Sequence, residues 1–557
     1  MAIPKRVSSM PRTPLLSAVR RSLRLALYAR QPHSPPVDEL VDMQHTTSTS
    51  RRRFLRNSVT TLVSLGSAGL LNVPQAPVIN AMQPLERSRR LAPRIAIVGA
   101  GIAGLNAAYT LQQAGYYADI YEASQRTGGR IFSIQDRLGP GLTTELGGEF
   151  IDSNHTEMLS LAQEFGLELA DFQGPSEADL IPETYFFGGQ HYTEQQVVEA
   201  FLPLAPQIER DYEAAIQAFD EGDGPVELDH LSIAAYLDRI GASGWVRELL
   251  EVAYTTEYGL PIDQQSSLNL IFLIGTDVAD GTFEIFGESD ERYTIKGGNQ
   301  RITDALAHRM KGQIHFAHRL EAIRRRGDAY RLTFAGPNGS AVDVVADFVI
   351  VCIPFTVLRS VELRLALPRF KRRVIHQLNY GTNAKLILGF SERVWRQQGY
   401  SGTFFTDEPF QNGWDSSRQQ AGEQGSLTLY LGGQPGLDVG DGRKQRQAQR
   451  FLPGIDQIFP GATEAYNGIV QRFHWPSAPL YQGSYACYTV GQWTTIAGSE
   501  ITPVDNLFFA GEHCSEDFQG YMNGGAETGR SVAKQLLAKL DDNRLHAVQR
   551  KRLSDLS

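Results

Sequence analysis

The sequence predicts an α/β fold built on a parallel sheet that carries a dinucleotide, and three stretches predict it. Residues 94–130 supply a strand, a glycine turn, a helix and a second strand in succession. Residues 346–354 form an apolar run closed by Pro354, the pattern of a strand buried on both faces. Between these two, residues 155–290 read as mainly helical, with apolar side chains at three- and four-residue steps over 156–165 and 195–219, the period of helices inserted into the framework.

In the first stretch, Arg94-Ile95-Ala96-Ile97-Val98 reads as a buried strand and Gly99-Ala100-Gly101-Ile102-Ala103-Gly104 follows it directly. Gly99 makes the turn, Gly101 lets the backbone approach a pyrophosphate, and Gly104 lets the helix pack close to the strand. Ile102 and Ala103 lie in the first helical turn, where free N–H groups and the helix dipole favour phosphate. A second strand ends at Glu122, 18 residues past Gly104, with Ala123 after it. An acid at this position accepts hydrogen bonds from an adenosine ribose and disfavours a 2′-phosphate, which leaves NAD or FAD.

The chain has 557 residues, too many for one core, so two or more domains are expected. Cys352, Cys487 and Cys514 fit neither a zinc site nor a disulfide framework, and no metal is expected. Residues 1–81 carry 11 Lys/Arg and 3 Asp/Glu, net +8; against chain totals of 53 and 62, the remainder carries 42 and 59, net −17. An acidic body repels nucleic acid and favours cationic small molecules.

The basic leader contains Ser50-Arg51-Arg52-Arg53-Phe54-Leu55-Arg56, which resembles a twin-arginine export signal, and residues 57–85 follow without a charge. Val78-Ile79-Asn80-Ala81 is the expected cleavage site. The resemblance implies recognition by the twin-arginine translocase and a periplasmic location, or a lumenal or membrane-associated one in a thylakoid if the leader is retained. The first 42 residues are Arg- and Ser-rich without an acid before Asp38, as in an organelle transit peptide, and Met43 would begin a leader of ordinary length.

Arg126-Thr127-Gly128-Gly129-Arg130 resembles the Arg-x-Gly-Gly-Arg signature of the flavin-containing amine oxidase superfamily, which includes monoamine, polyamine and L-amino acid oxidases. The resemblance is carried further by Thr143-Thr144-Glu145-Leu146-Gly147-Gly148-Glu149-Phe150-Ile151-Asp152, by Tyr293-Thr294-Ile295-Lys296-Gly297-Gly298-Asn299, and by Asn506-Leu507-Phe508-Phe509-Ala510-Gly511-Glu512-His513 with Gly520-Tyr521-Met522-Asn523-Gly524-Gly525. It implies a Rossmann-type FAD-binding domain built from discontinuous segments, plus a mixed-sheet substrate domain with a helical insertion. The expected boundaries are a leader at 1–81, FAD-binding segments at 90–155, 291–359 and 498–541, a mainly helical entrance region at 156–290, a substrate-binding domain at 360–497 and a tail at 542–557. Arg130, Gly147, Gly148, Glu149, Phe150, Leu320, Glu512, Gly520, Tyr521, Met522 and Asn523 join the fingerprint residues as expected FAD contacts, and a helix over 525–540 is expected to point at the flavin.

The same resemblance assigns the catalytic expectations. Lys385 interrupts the apolar strand Ala384-Lys385-Leu386-Ile387-Leu388, and relatives use such a lysine to hold water beside the flavin. Tyr485 and Tyr521 match the paired aromatics that orient an amine. Ser484 stands where monoamine oxidases tether flavin through cysteine, so non-covalent FAD is expected. Phe150 replaces the arginine with which L-amino acid oxidases hold a carboxylate. Glu149 and Asp152 are candidate contacts for a protonated amine, and Glu257 and Asp277 are further acids of interest. The implied activity is oxidation of a cationic amine, a polyamine or similar, by O2 to a carbonyl compound, ammonia or amine, and H2O2. Oxidation of a basic L-amino acid and flavin binding without turnover are the alternatives.

Overall fold

The computed structural model describes residues 93–554 apart from 223, 277–284 and 288. The leader with its twin-arginine motif, the cleavage site at 78–81 and Asp277 lie outside the described residues.

Ile95–Val98 is the centre of a five-stranded parallel sheet, in the order Leu507–Phe509, Phe348–Val351, Ile95–Val98, Ala118–Tyr121, Ile314–His315. Every residue of Ile95–Val98 and Phe348–Val351 is buried, because both faces of the sheet are covered, and this is why both strands read as unbroken apolar runs. The register aligns Val98 with Tyr121 and Val351, and Val351 with Phe509, so four carboxyl ends finish level. Ligands bind at such ends in open parallel sheets.

Helix Ile102–Gln113 leaves the end of Ile95–Val98 and packs against helix Met522–Ser554 through Asn106 Nδ2, which donates to Ala526 O at 2.7 Å. A Cβ on Gly104 would lie 2.0 Å from Gly99 O, so only glycine permits this helix its closeness to the turn. Helix Met522–Ser554 begins three residues ahead of the expected start at 525. Gly524 and Gly525 fall in its first turn, where their weak helix propensity costs little.

The second sheet has seven strands, in the order Tyr466–His474, Ala384–Phe390, Gly425–Leu431, Asn412–Asp415, Tyr400–Thr406, Ile181–Phe187, Gln190–Tyr192. It is mixed: Tyr400–Thr406 pairs parallel with Ile181–Phe187, and its other pairings are antiparallel. The two last strands come from the stretch read as mainly helical. Only the final four residues of Ile181–Phe187 are buried, which erased any alternating signal. The helical run over 195–219 is also two helices, Glu194–Phe201 and Ala205–Glu221. Pro203 lies in the break, and its missing N–H ends the first helix.

Candidate active site

A continuous cavity extends from the carboxyl ends of the parallel sheet to the mixed sheet. At the parallel sheet it is lined by Gly99, Gly101, Ile102, Ala103, Glu122 and Ala123, then by Gly128, Gly129 and Arg130, and by Leu320 at the start of strand Arg319–Arg326. The two glycine turns face one another bare of side chains: a Cβ on Gly129 would sit 3.2 Å from Gly101 Cα. That is a cradle of backbone N–H groups at a helix N-terminus, which suits a pyrophosphate. Glu122 accepts from Ala100 N and Ser124 N, both at 2.8 Å, and each of its carboxylate oxygens retains a second acceptor position.

Gly104 and Asn523 do not line the cavity. Gly104 acts one layer behind it, through the close helix packing described above. Asn523 is fully buried and its Oδ1 accepts from Glu157 N and Met158 N, each at 3.0 Å, capping helix Thr156–Glu164. Of the two arginines flanking the second glycine turn, only Arg130 reaches the cavity. Arg126 braces the turn, donating to Thr127 O at 3.0 Å and stacking 4.1 Å above the Phe132 ring. Arg130 Nη1 donates to Glu512 Oε1 at 2.8 Å and to Ser484 O at 2.6 Å, while Glu512 Oε2 accepts from Gly520 N at 2.8 Å. One ion pair thus joins the first cofactor segment, the third, and the 484 loop.

Gly147, Gly148, Glu149 and Phe150 form the next part of the wall, with Met522 and Gly520 opposite in sequence but on the same cavity. Gly147 has no alternative here, since a Cβ would fall 1.9 Å from Arg130 O. Beyond lie Lys385, Tyr485 and Tyr521, so all three expected catalytic residues share one space. Tyr485 Oη donates to Glu257 O and lies 3.1 Å from Tyr430 Oη. Tyr521 Oη lies 3.3 Å from both Glu257 Oε1 and Ser289 Oγ and shares its one hydrogen between them. Glu257, near the end of helix Gly244–Tyr258, therefore fixes both rings. Burial, with the neighbouring tyrosine and acid, holds the Tyr485 phenol well above its ordinary range, so it stays protonated.

Two of the expected amine contacts are engaged elsewhere. Asp152 does not line the cavity; it accepts from Ser289 Oγ at 2.7 Å and Glu291 N at 3.1 Å and fixes that loop. Glu149 does line it, but its Oε2 accepts from Lys385 Nζ at 2.7 Å. The reading of the sequence passed over Glu291, which lines the cavity with φ +42°, a left-handed backbone rare outside glycine. Burial, then Asp152, Glu257 and Glu183, push its carboxyl well above the usual range. Asp290-Glu291-Arg292 looks like a surface turn in sequence, so nothing local marks it. Tyr430 was also passed over, though a signal existed: Leu427, Leu429 and Leu431 alternate into one core, which puts Tyr430 on the opposite face with its register partner Lys385.

A dinucleotide cradle continuous with an aromatic and acidic chamber defines an oxidoreductase in which a cofactor's reactive ring meets a small substrate. Residues 102–537 match the sequence model of the family described as flavin containing amine oxidoreductase, and the chain belongs to that family. Flavin and a dinucleotide cradle together make the cofactor FAD. The chain is 22% identical over 471 residues to an L-amino-acid oxidase of Gloydius blomhoffii, covering 79% of this chain and 88% of the relative. Among solved structures it is similar to putrescine oxidase bound to putrescine, with TM-score 0.68, 19% identity and coverage of 80% and 99%. It is equally similar to cyclohexylamine oxidase from Brevibacterium oxydans IH-35A, with TM-score 0.69, 20% identity and coverage of 81% and 100%. At these identities the structural likenesses establish the fold.

Proposed function

We propose that the chain oxidises small cationic amines, of the diamine or polyamine kind, with O2 as acceptor. The observation that carries this reading is Glu257, which holds Tyr485 and Tyr521 together and, with Glu291, lines the chamber with carboxyl groups beside the aromatic pair. When bound, FAD would supply the redox chemistry: acceptance of a hydride equivalent from the carbon next to nitrogen, and transfer of two electrons and two protons to O2 as H2O2. The substrate loses that hydride and a proton to become an imine, and water converts it to a carbonyl compound and ammonia or a smaller amine. The protein's part is position and field. The tyrosine rings orient the amine and stabilise its cationic form on approach. Glu257 attracts a second positive charge, Glu291 adds to it once ionised, and Lys385 lines the same cavity with its ammonium on Glu149. Arg130, Glu512 and the glycine turns hold FAD. On this reading its attachment is non-covalent, because Ser484 lines the cavity at the position of the tether while Cys487 does not line it and is fully buried in contact with Asn269 Nδ2 at 3.7 Å.

A basic L-amino acid is the second reading, favoured by Arg418. Its Nη2 donates to cavity-lining Thr403 Oγ1, its guanidinium lies 5.3 Å over Phe172, and its Nε is buried without an acceptor among the described residues. Such a group can take a carboxylate. Peroxide release from purified holoenzyme across diamines, polyamines, monoamines, L-arginine and L-lysine tests both. Turnover confined to amino acids, with a 2-oxo acid as product, refutes the first reading. Export through the twin-arginine translocase is part of the proposal, and replacing Arg51, Arg52 and Arg53 by Lys should retain the enzyme inside the cell.

A further inference from the structure

Lys385 lies on strand Ala384–Phe390 of the mixed sheet, yet its ammonium is held by the other domain's 145–149 segment. Nζ donates to Glu145 O at 3.1 Å, Gly147 O at 2.9 Å and Glu149 Oε2 at 2.7 Å. An ammonium has three hydrogens, so all of them are engaged. The first two acceptors are neutral carbonyls, so Glu149 is the charged member of the three, with the buried Glu145 carboxyl close enough to feel both Lys385 and Glu149. The remaining surface of the cation faces rings, with Trp414 at 5.1 Å and Tyr430 at 6.0 Å from Nζ. The lysine and glutamate side chains are 4% and 7% exposed, and both residues line the cavity.

We propose that Glu149 is a positioning residue that fixes the Lys385 ammonium against the 145–149 segment and competes with the cavity's occupant for its third hydrogen. Lys385 donates to a water or substrate in the cavity only when Glu149 releases it. The pair is also neutral as a unit, which leaves recognition of a cationic substrate to Glu257 and Glu291. Glu149 therefore acts on the chamber through Lys385 rather than as a counter-ion for the amine. The inference rests on the flavin oxidase reading only for its kinetic readout.

The test compares holoenzyme of the wild type, Glu149→Gln, Lys385→Met and the double variant. Sulfite, an anion that adds to oxidised flavin, is titrated by the visible spectrum; this readout needs bound FAD but no amine turnover. With its counter-charge removed, the ammonium attracts the anion, so Glu149→Gln should tighten sulfite binding by about tenfold while the same change made on the Lys385→Met background moves it less than about twofold. The KM for a diamine should change less than about threefold, with the larger effect on kcat. Equal effects on both backgrounds would show that Glu149 does not act through Lys385. An unchanged sulfite affinity overturns the proposal, as does a tenfold rise in diamine KM alone, which would make Glu149 the substrate's counter-ion. If Glu149→Gln does not retain flavin, Glu149→Ala, which also removes the charge, carries the comparison. Failure of every amine as substrate would sink the proposed activity and leave the sulfite result standing.

Discussion

Replacing Arg130 by Met should release FAD and lower the melting temperature together. Arg130 donates to Glu512 at 2.8 Å and to Ser484 O at 2.6 Å, and the two charged side chains are 23% and 8% exposed. Removing one member of such a pair leaves the other charge uncompensated, a loss of about 3–5 kcal/mol. Gly520 N still donates to Glu512 Oε2 at 2.8 Å, which favours the low end, about 3 kcal/mol. Melting temperatures of large domains fall only a degree or two per kcal/mol, so a decrease of about 3–6 °C is expected. Differential scanning fluorimetry and the ratio of flavin to protein absorbance read the two effects. Adding Glu512→Gln to Arg130→Met should recover part of the melting temperature, because it removes the stranded charge. A variant that melts within a degree of wild type and keeps a full complement of FAD would refute the idea that this pair locks the cofactor segments together.

Gly104→Ala should fold poorly or lose FAD although position 104 does not touch the cavity, since its Cβ would lie 2.0 Å from Gly99 O; normal flavin content in the purified variant contradicts this. Burial, then Asp152, Glu257 and Glu183, push the Glu291 carboxyl well above its ordinary range, so it ionises at a higher pH than an ordinary carboxyl and binds a dication better once ionised. The Kd of an unreactive diamine should therefore tighten as the pH rises above the ordinary carboxylate range, and Glu291→Gln should flatten that dependence. Glu500 is buried, accepts from Tyr488 Oη at 2.9 Å, and its carboxyl is pushed up to about 7 from an ordinary 4.5. Its contribution to stability is present in full below about 4.5 and is lost as the pH rises through about 7, on the order of 3 kcal/mol. Glu500→Gln should make the melting temperature less dependent on pH across that window, and an unchanged slope would show that the group is not strained.

Local chemistry made the cofactor end of this chain legible. Gly99, Gly101 and Gly104 lie together in the sequence and are required by backbone geometry, Glu122 follows at the end of the next strand, and none depends on a distant partner for its meaning. The chamber was readable only in part, because its acids differ in what packs against them. Glu149 and Asp152 look alike in sequence, yet one meets Lys385 from 236 residues away and the other holds Ser289 and Glu291 N. Glu291 reaches the cavity because Asp152 shapes its loop, a relation without any local signature. Strand Ile181–Phe187 escaped notice for the same reason: its partner, Tyr400–Thr406, lies far along the chain, and half of it is left exposed. Asn523 was assigned to the flavin by resemblance, whereas its side chain caps helix Thr156–Glu164.

Anaerobic mixing of purified holoenzyme with a diamine tests the central claim most directly, because it joins bound flavin to amine chemistry in one observation. The visible flavin absorbance should bleach with the diamine and return on admitting O2, with one H2O2 released per amine oxidised. Flavin that stays yellow with every diamine, polyamine, monoamine and basic amino acid offered would contradict it.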